Sequence, residues 1–152
     1  MTALLKNEEC TPMNSSTLKK KSDMMRLVKS HDTGAEMQVR RLLHSLGYRY
    51  RLHKKDLPGR PDLVFLSRRK VIFVHGCFWH QHKGCPKAKR PKTNSQFWSG
   101  KLDRNIERDR ENQKDLEKAG WDIFVAWECN IADIQGLEQA LRAFLERKNS
   151  VG

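Results

Sequence analysis

The sequence predicts an α/β domain, a mixed β-sheet flanked by helices, and three observations predict it. Two apolar runs, Leu63-Val64-Phe65-Leu66 and Val71-Ile72-Phe73-Val74, stand either side of the polar link Ser67-Arg68-Arg69-Lys70 and read as a hairpin of central strands. A third run, Asp122-Ile123-Phe124-Val125-Ala126-Trp127-Glu128-Cys129, follows a helical stretch that Gly120 can close, and reads as another core strand. Amphipathic stretches over 33–46 and 134–145 supply apolar faces to cover the sheet.

Taken in order, residues 1–20 are polar, Thr/Ser/Lys-rich and without periodicity, as expected of a flexible N-terminal arm, and 21–150 form one domain. Cys10 in the arm is expected to be a free thiol. Between Lys19 and Lys29 basic residues surround Met24, Met25, Leu27 and Val28, a pattern that suits a short docking helix and a DNA-contacting arm equally. Val39, Leu42, Leu43 and Leu46 then follow helical spacing, and Gly47 can end that helix. At its start Thr33-Gly34-Ala35-Glu36 fits a capping box, which gives Glu36 a purely structural reading. Tyr48, Tyr50 and Leu52 alternate with basic residues, as a strand along a solvated face would. Residues 83–96, basic and containing Pro86 and Pro91, read as a long loop. From about Leu102 to Ala119 the chain is helical by propensity but polar on nearly every face.

The formal net charge is +12 and the isoelectric point about 9.8. Such an excess favours a polyanionic partner, nucleic acid first and an anionic membrane surface second. No apolar run approaches the roughly 18 residues of a membrane span, and no signal-peptide core is visible, so a cytoplasmic setting without membrane contact is expected. In that compartment the four cysteines are expected as thiols or metal ligands rather than disulfides.

Two constellations carry chemistry. Cys77-x4-His82-x2-Cys85, with Cys129 beyond the last strand, makes a Cys3His set that suits one tetrahedral structural zinc; the alternative is that Cys129 is a buried strand cysteine. Glu36, Asp62, His75 and His80 have hard-metal and acid–base character. Asp62 opens one core strand and His75 ends the next, a placement similar to magnesium-dependent nucleases of the PD-(D/E)xK, restriction-endonuclease-like type. The Glu-x-Lys half is absent, and an imidazole can replace that lysine as base or water-positioning group. Either histidine alone also reads as an ordinary core or surface side chain. Phe78-Trp79 and Phe97-Trp98, near Lys and Arg, suit insertion into DNA as well as core packing.

Leu57-Pro58-Gly59-Arg60-Pro61-Asp62, Val74-His75-Gly76-Cys77-Phe78-Trp79-His80, Phe97-Trp98, Asn105-x-Glu107-Arg108-Asp109 and Trp127-Glu128-Cys129 closely resemble the very-short-patch-repair (Vsr) DNA mismatch endonucleases. The resemblance spans about Lys20 to Leu145. It implies a strand-specific nick on the 5′ side of the thymine in a T·G mismatch left by deamination of 5-methylcytosine. By the same resemblance Asp62 and the backbone carbonyl of Val74 hold catalytic magnesium, taken as two ions, with Glu36 in the same network. His75 activates or orients water, and His80 faces the phosphate and leaving group. Cys77, His82, Cys85 and Cys129 bind one structural zinc. Phe78, Trp79 and Trp98 wedge into DNA, Met25 meets the minor groove, and Lys101 and Asn105 lie near the mismatch. The implied partners are T·G-containing double-stranded DNA, mismatch-repair proteins and a repair polymerase, around a monomeric enzyme at the nucleoid. Two departures from the family pattern stand out: Val74 where Thr is expected, and one extra residue before Cys85. The competing readings are another endonuclease of the same fold, such as a restriction enzyme, and a zinc-stabilised DNA-binding module without catalysis.

Overall fold

The structure, a computed structural model, describes residues 33–148; the N-terminal arm, Cys10, Met25 and the 20/21 boundary lie outside the described residues. All described elements fall within one compact unit, Gly34–Gly152. Helix α1 (Gly34–Ser45) buries Val39 and Leu43. It ends where Gly47 takes φ 86°, so that Gly47 N–H reaches His44 O and Tyr48 N–H reaches Leu43 O, each at 3.1 Å. Such a left-handed residue closes two orphan carbonyls, which a side chain with a Cβ does only under strain.

Strands β1 (Arg51–Leu52), β2 (Leu63–Phe65), β3 (Lys70–His75) and β4 (Asp122–Trp127) form one four-stranded sheet in the order β1-β2-β3-β4. The first two pairings are antiparallel and β3–β4 is parallel, so the sheet is mixed, as the sequence predicts. A parallel neighbour requires a crossover, and helix α2 (Ser95–Lys118) supplies it. A short helix α3 (Glu128–Ile131) and helix α4 (Ile134–Glu146) follow β4. The alternation of the strands divides the interior in two. Leu63, Phe65 and Ile72 pack with Val39 and Leu43 of α1 and Leu137, Leu141, Phe144 and Leu145 of α4. Val64, Val71 and Phe73 pack on the other face with Leu116 of α2 and Trp121. Period-two side-chain direction produces both layers from the same strands.

Four local expectations change. The first strand is only Arg51–Leu52; Tyr48 and Tyr50 instead turn inward, each ring edge-on to Phe65 at 6.4 and 6.0 Å, with Tyr50 Oη donating to Arg40 O. Helix α2 starts at Ser95 rather than near Leu102, which puts Phe97 and Trp98 on its first turn. Strand β4 stops at Trp127 and the chain becomes helical at Glu128, so Cys129 sits on a helix instead of a strand end.

The fourth is Lys70, which belongs to β3 and is 1% exposed. Its ammonium donates to Phe144 O at 2.6 Å and Leu145 O at 3.2 Å, and to Arg147 O, closing the carbonyl end of α4. Burial pushes its pKa below the usual lysine value, while the Asp122 carboxylate pulls it back up. Lys70→Met keeps the stem but strands these carbonyls, so the urea midpoint is expected to fall by the equivalent of about 1–3 kcal/mol with no change in denaturant slope. An unshifted midpoint would show that water satisfies the helix end equally well.

Candidate active site

Because β2 and β3 run antiparallel with Leu63 opposite Ile72, the start of β2 lies beside the end of β3. That register sets Asp62 against Val74, whose N–H donates to Asp62 Oδ2 at 2.7 Å. Glu36, in the first turn of α1 and 1% exposed, places Oε1 2.5 Å from His53 Nε2. His53 Nε2 also lies 4.0 Å from Asp62 Oδ1. Burial pushes the Asp62 pKa up to about 7; the Val74 amide opposes the rise, and the nearby Glu36 carboxylate adds to it. Two carboxylates crowded in a poorly solvated place favour a proton or a cation between them. The turn entering Asp62 packs tightly: Gly59 has φ 76°, and a Cβ there would come within 3.0 Å of Asn112 Cβ on α2.

The other half of the site grows from the end of β3. His75, 5% exposed, stacks on His80 with ring centroids 3.8 Å apart and planes 6° apart. His80 Nδ1 and Asp109 Oδ2 are 2.5 Å apart, joining the loop after β3 to α2. Burial, helped by the neighbouring His80, lowers the His75 pKa to about 3 despite Asp109. The His75 imidazole is therefore neutral at ordinary pH, and its buried Nδ1 has no hydrogen-bond partner among the described residues. The four predicted residues thus fall into two adjoining clusters, Glu36 and Asp62 with His53, and His75 and His80 with Asp109. Val74 links them, giving its amide to Asp62 while preceding His75.

The structure brings Cys77, His82, Cys85 and Cys129 together with all four ligand atoms within 4.8 Å of one another. His82 Nδ1 is 3.7 Å from Cys77 Sγ and 3.2 Å from Cys129 Sγ. Tetrahedral ligands about 2.3 Å from an ion stand just under about 4 Å apart, so this Cys/His cluster fits a metal ion. Gln81 and Gly84, at φ 50° and 75°, turn the chain sharply between Cys77 and Cys85. Burial raises the Cys77 thiol to about 11. Cys85 is different: burial opposes ionisation, but the Lys87 and Ala88 amides and the Cys129 and Cys77 thiols bring its pKa below the usual value. His82 also stacks on Trp127, at 4.2 Å and 9°, and Trp127 stands edge-on to His75 at 5.2 Å. One run of rings therefore connects the Cys/His cluster to His80.

Between the two sits an aromatic knot. Phe78 contacts Trp79 at 5.1 Å and Trp98 at 5.5 Å, and Trp98 contacts Phe97 at 5.3 Å. Phe78, Trp79 and Trp98 are half-buried, Phe97 is 53% exposed, and none belongs to either hydrophobic core. Gln81 Nε2 donates to Phe78 O at 2.7 Å and Asn105 Nδ2 to Trp79 O at 3.1 Å. Lys101 Nζ hangs 5.6 Å over the Trp79 ring. Lys101 and Asn105 therefore meet the aromatic loop directly.

His53 escapes the sequence reading, and Asp109 enters it only as part of the Asn105-x-Glu107-Arg108-Asp109 motif, without a role of its own. Asp109 carried a signal: Trp98, Asn105 and Asp109 are seven and then four residues apart, one stripe of a helix. His53 carried none, lying in a basic link between strands.

The family model described as "DNA mismatch endonuclease Vsr" matches residues 13–87. The chain is 50% identical over 123 residues to the Type II nicking enzyme V.XorIIP of Xanthomonas oryzae pv. oryzae, covering 81% of this chain and 90% of that protein. It is 42% identical over 115 residues to the Type II nicking enzyme V.NmeAIP of Neisseria meningitidis serogroup A, covering 76% and 81%. It is 40% identical over 127 residues to the DNA mismatch endonuclease Vsr of Escherichia coli, covering 83% and 81%. With identity at these levels across most of its length, the chain belongs to the Vsr family of DNA mismatch endonucleases.

Proposed function

We propose that this DNA endonuclease nicks one strand on the 5′ side of the thymine in a T·G mismatch, using magnesium, and so opens a short repair patch where 5-methylcytosine has deaminated. The observation that carries the reading is the segment Cys77–His82, which bears metal ligands at both ends, two aromatics and a paired histidine. One short loop thereby joins a rigid anchor, a wedge and a proton-handling group. The core is then a variant of the PD-(D/E)xK pattern, with Asp62 at the start of β2 and His75 where the second half would stand. The relatives named nicking enzymes favour a single-strand cut.

Asp62 and the Val74 carbonyl would hold magnesium, which supplies charge for the phosphate oxygens and acidifies water when bound. Everything else falls to side chains. His75, neutral and buried, orients the attacking water toward phosphorus. As the new P–O bond forms and the old one breaks, the leaving oxygen needs a proton. His80 faces that oxygen, and in its protonated form it gives up the Nε2 proton and returns to the neutral ring. The Asp109 carboxylate accepts from Nδ1 of His80, fixing the tautomer and ring direction much as a carboxylate does for other catalytic imidazoles. Cys77, His82, Cys85 and Cys129 would hold one zinc ion per chain, which would anchor the wedge loop. A T·G wobble pair stacks weakly, so Phe78, Trp79 and Trp98 enter beside it at lower cost than at a Watson–Crick pair.

Trp79→Ala is expected to lose T·G preference and rate together, by about 1–3 kcal/mol of stacking, while salt-dependent binding through Lys and Arg persists. Single-turnover nicking of T·G and T·A duplexes at several salt concentrations measures both. Unchanged discrimination would make Trp79 a packing residue.

A further inference from the structure

Three side chains from three separate segments converge on one point, among them Asp62, the proposed magnesium ligand. Glu36 comes from the first turn of α1, His53 from the link after β1, and Asp62 from the entry to β2. His53 Nε2 stands 2.5 Å from Glu36 Oε1 and 4.0 Å from Asp62 Oδ1. Oδ2 of Asp62 is occupied by the Val74 amide, which turns Oδ1 toward the imidazole. His53 is held there by its backbone, since its N–H donates to Asp62 O at 3.1 Å. It also takes φ 45°, a left-handed conformation uncommon for a residue with a side chain.

Around an octahedral cation with ligands at about 2.0–2.2 Å, neighbouring ligand atoms lie about 3 Å apart and opposite ones about 4.2 Å. The observed separations come within about half an ångström of that arrangement. Magnesium selects an all-oxygen shell, whereas one imidazole among carboxylates draws affinity along the series toward manganese and later metals. The sulfur-rich Cys77 cluster is too soft to compete for manganese. We propose that His53 is a nitrogen ligand of the catalytic metal, together with Glu36 and Asp62, and that the site therefore takes Mn2+ in preference to Mg2+. This deepens, and rests on, the reading of Asp62 as a metal ligand.

The test uses the full zinc-loaded chain and Mn2+ alone as the probe. Electron paramagnetic resonance counts bound Mn2+, competition with Mg2+ gives relative affinities, and electron spin echo modulation detects nitrogen coupled to the ion. Wild-type protein is expected to bind Mn2+ about tenfold or more tightly than Mg2+ and to show nitrogen coupling. His53→Gln offers an oxygen at similar reach; it should lose the nitrogen signal and most of the Mn2+ preference while keeping Mg2+ affinity within about threefold. Absence of nitrogen coupling in the wild type overturns the proposal without recourse to any variant. So does a His53→Gln protein with unchanged coupling and metal preference. Asp62→Asn separates the two readings. If that variant loses Mn2+ while His53→Gln is unaltered, only the role of His53 fails. If Asp62→Asn binds Mn2+ as the wild type does, the Asp62 site itself fails, and His53 with it.

Discussion

Asp62→Asn is expected to abolish nicking while leaving the fold and DNA binding close to wild type. Asparagine keeps an oxygen that can accept from the Val74 N–H now bound to Asp62 Oδ2, so the β2–β3 junction holds. What disappears is the negative charge on Oδ1, the atom turned toward Glu36 and His53. Losing a metal that offsets charge on a phosphorane costs several kcal/mol. A fall of at least about a thousandfold in single-turnover rate, or about 4 kcal/mol at 1.4 per factor of ten, is therefore expected. Fluorescence anisotropy with a T·G duplex should show affinity within a few-fold of wild type, because phosphate contacts by Lys and Arg supply most of it. Activity within about tenfold of wild type would remove Asp62 from the reaction.

A comparably large effect is expected from the Cys/His cluster. Elemental analysis should find one tightly held ion per chain, and stripping it with a chelator should lower stability by about 3–5 kcal/mol, a fraction of what structural zinc supplies to coreless zinc fingers. The fraction is smaller here because the sheet has two hydrophobic layers of its own. The loss should nevertheless reach the active site, since His82 stacks on Trp127, Trp127 meets His75, and His75 stacks on His80. Thermal unfolding and the near-ultraviolet dichroism of the tryptophans, with and without chelator, measure both effects. A Cys129→Ser protein with full metal content and an unshifted melting temperature would dismiss the cluster as a ligand set.

Much of the scaffold is legible in the sequence because its signals are local. The apolar runs of β2, β3 and β4, the spacing of α1 and α4, and the metal-ligand spacing after His75 each need only a few consecutive residues to be read. Lys70 shows the opposite case. Its burial is decided by the carbonyl end of α4, more than seventy residues away, and no window around Ser67-Arg68-Arg69-Lys70 contains that information. The aromatics at 97 and 98 sit on a helix whose first turn has left-handed Asn94 as its N-cap, with no capping hydrogen bond from the side chain, so its start carries no clear mark. His53 and Asp109 are partners chosen in space: each completes a cluster whose other members come from different elements. Glu36 fits a capping-box position and yet lies beside His53; one residue at that position suits both readings, and only the position of His53 distinguishes them.

Helix α2 looked polar on nearly every face, and the reason carries a consequence of its own. Its inward side holds Trp98, Lys101, the buried Leu102, Asn105, Asp109 and Asn112 before it reaches Leu116, which packs in a hydrophobic layer. The upper part of that side packs against the working loop rather than against a hydrophobic layer. From Trp98 to Asp109 is about three turns, or roughly 16 Å at 1.5 Å per residue. The helix is thus a measuring rod: the distance from Trp98, the proposed wedge, to the carboxylate paired with His80 is counted in residues of a single rigid element. Deleting one residue inside that span would shorten the rod by only about 1.5 Å but rotate one end against the other by about 100°. Trp98 and Asp109 would then face in different directions. The length of this segment is thus far less free to vary than that of the loops around it, and under the proposed mechanism the offset between opened pair and cut bond is built into the pitch of an α-helix.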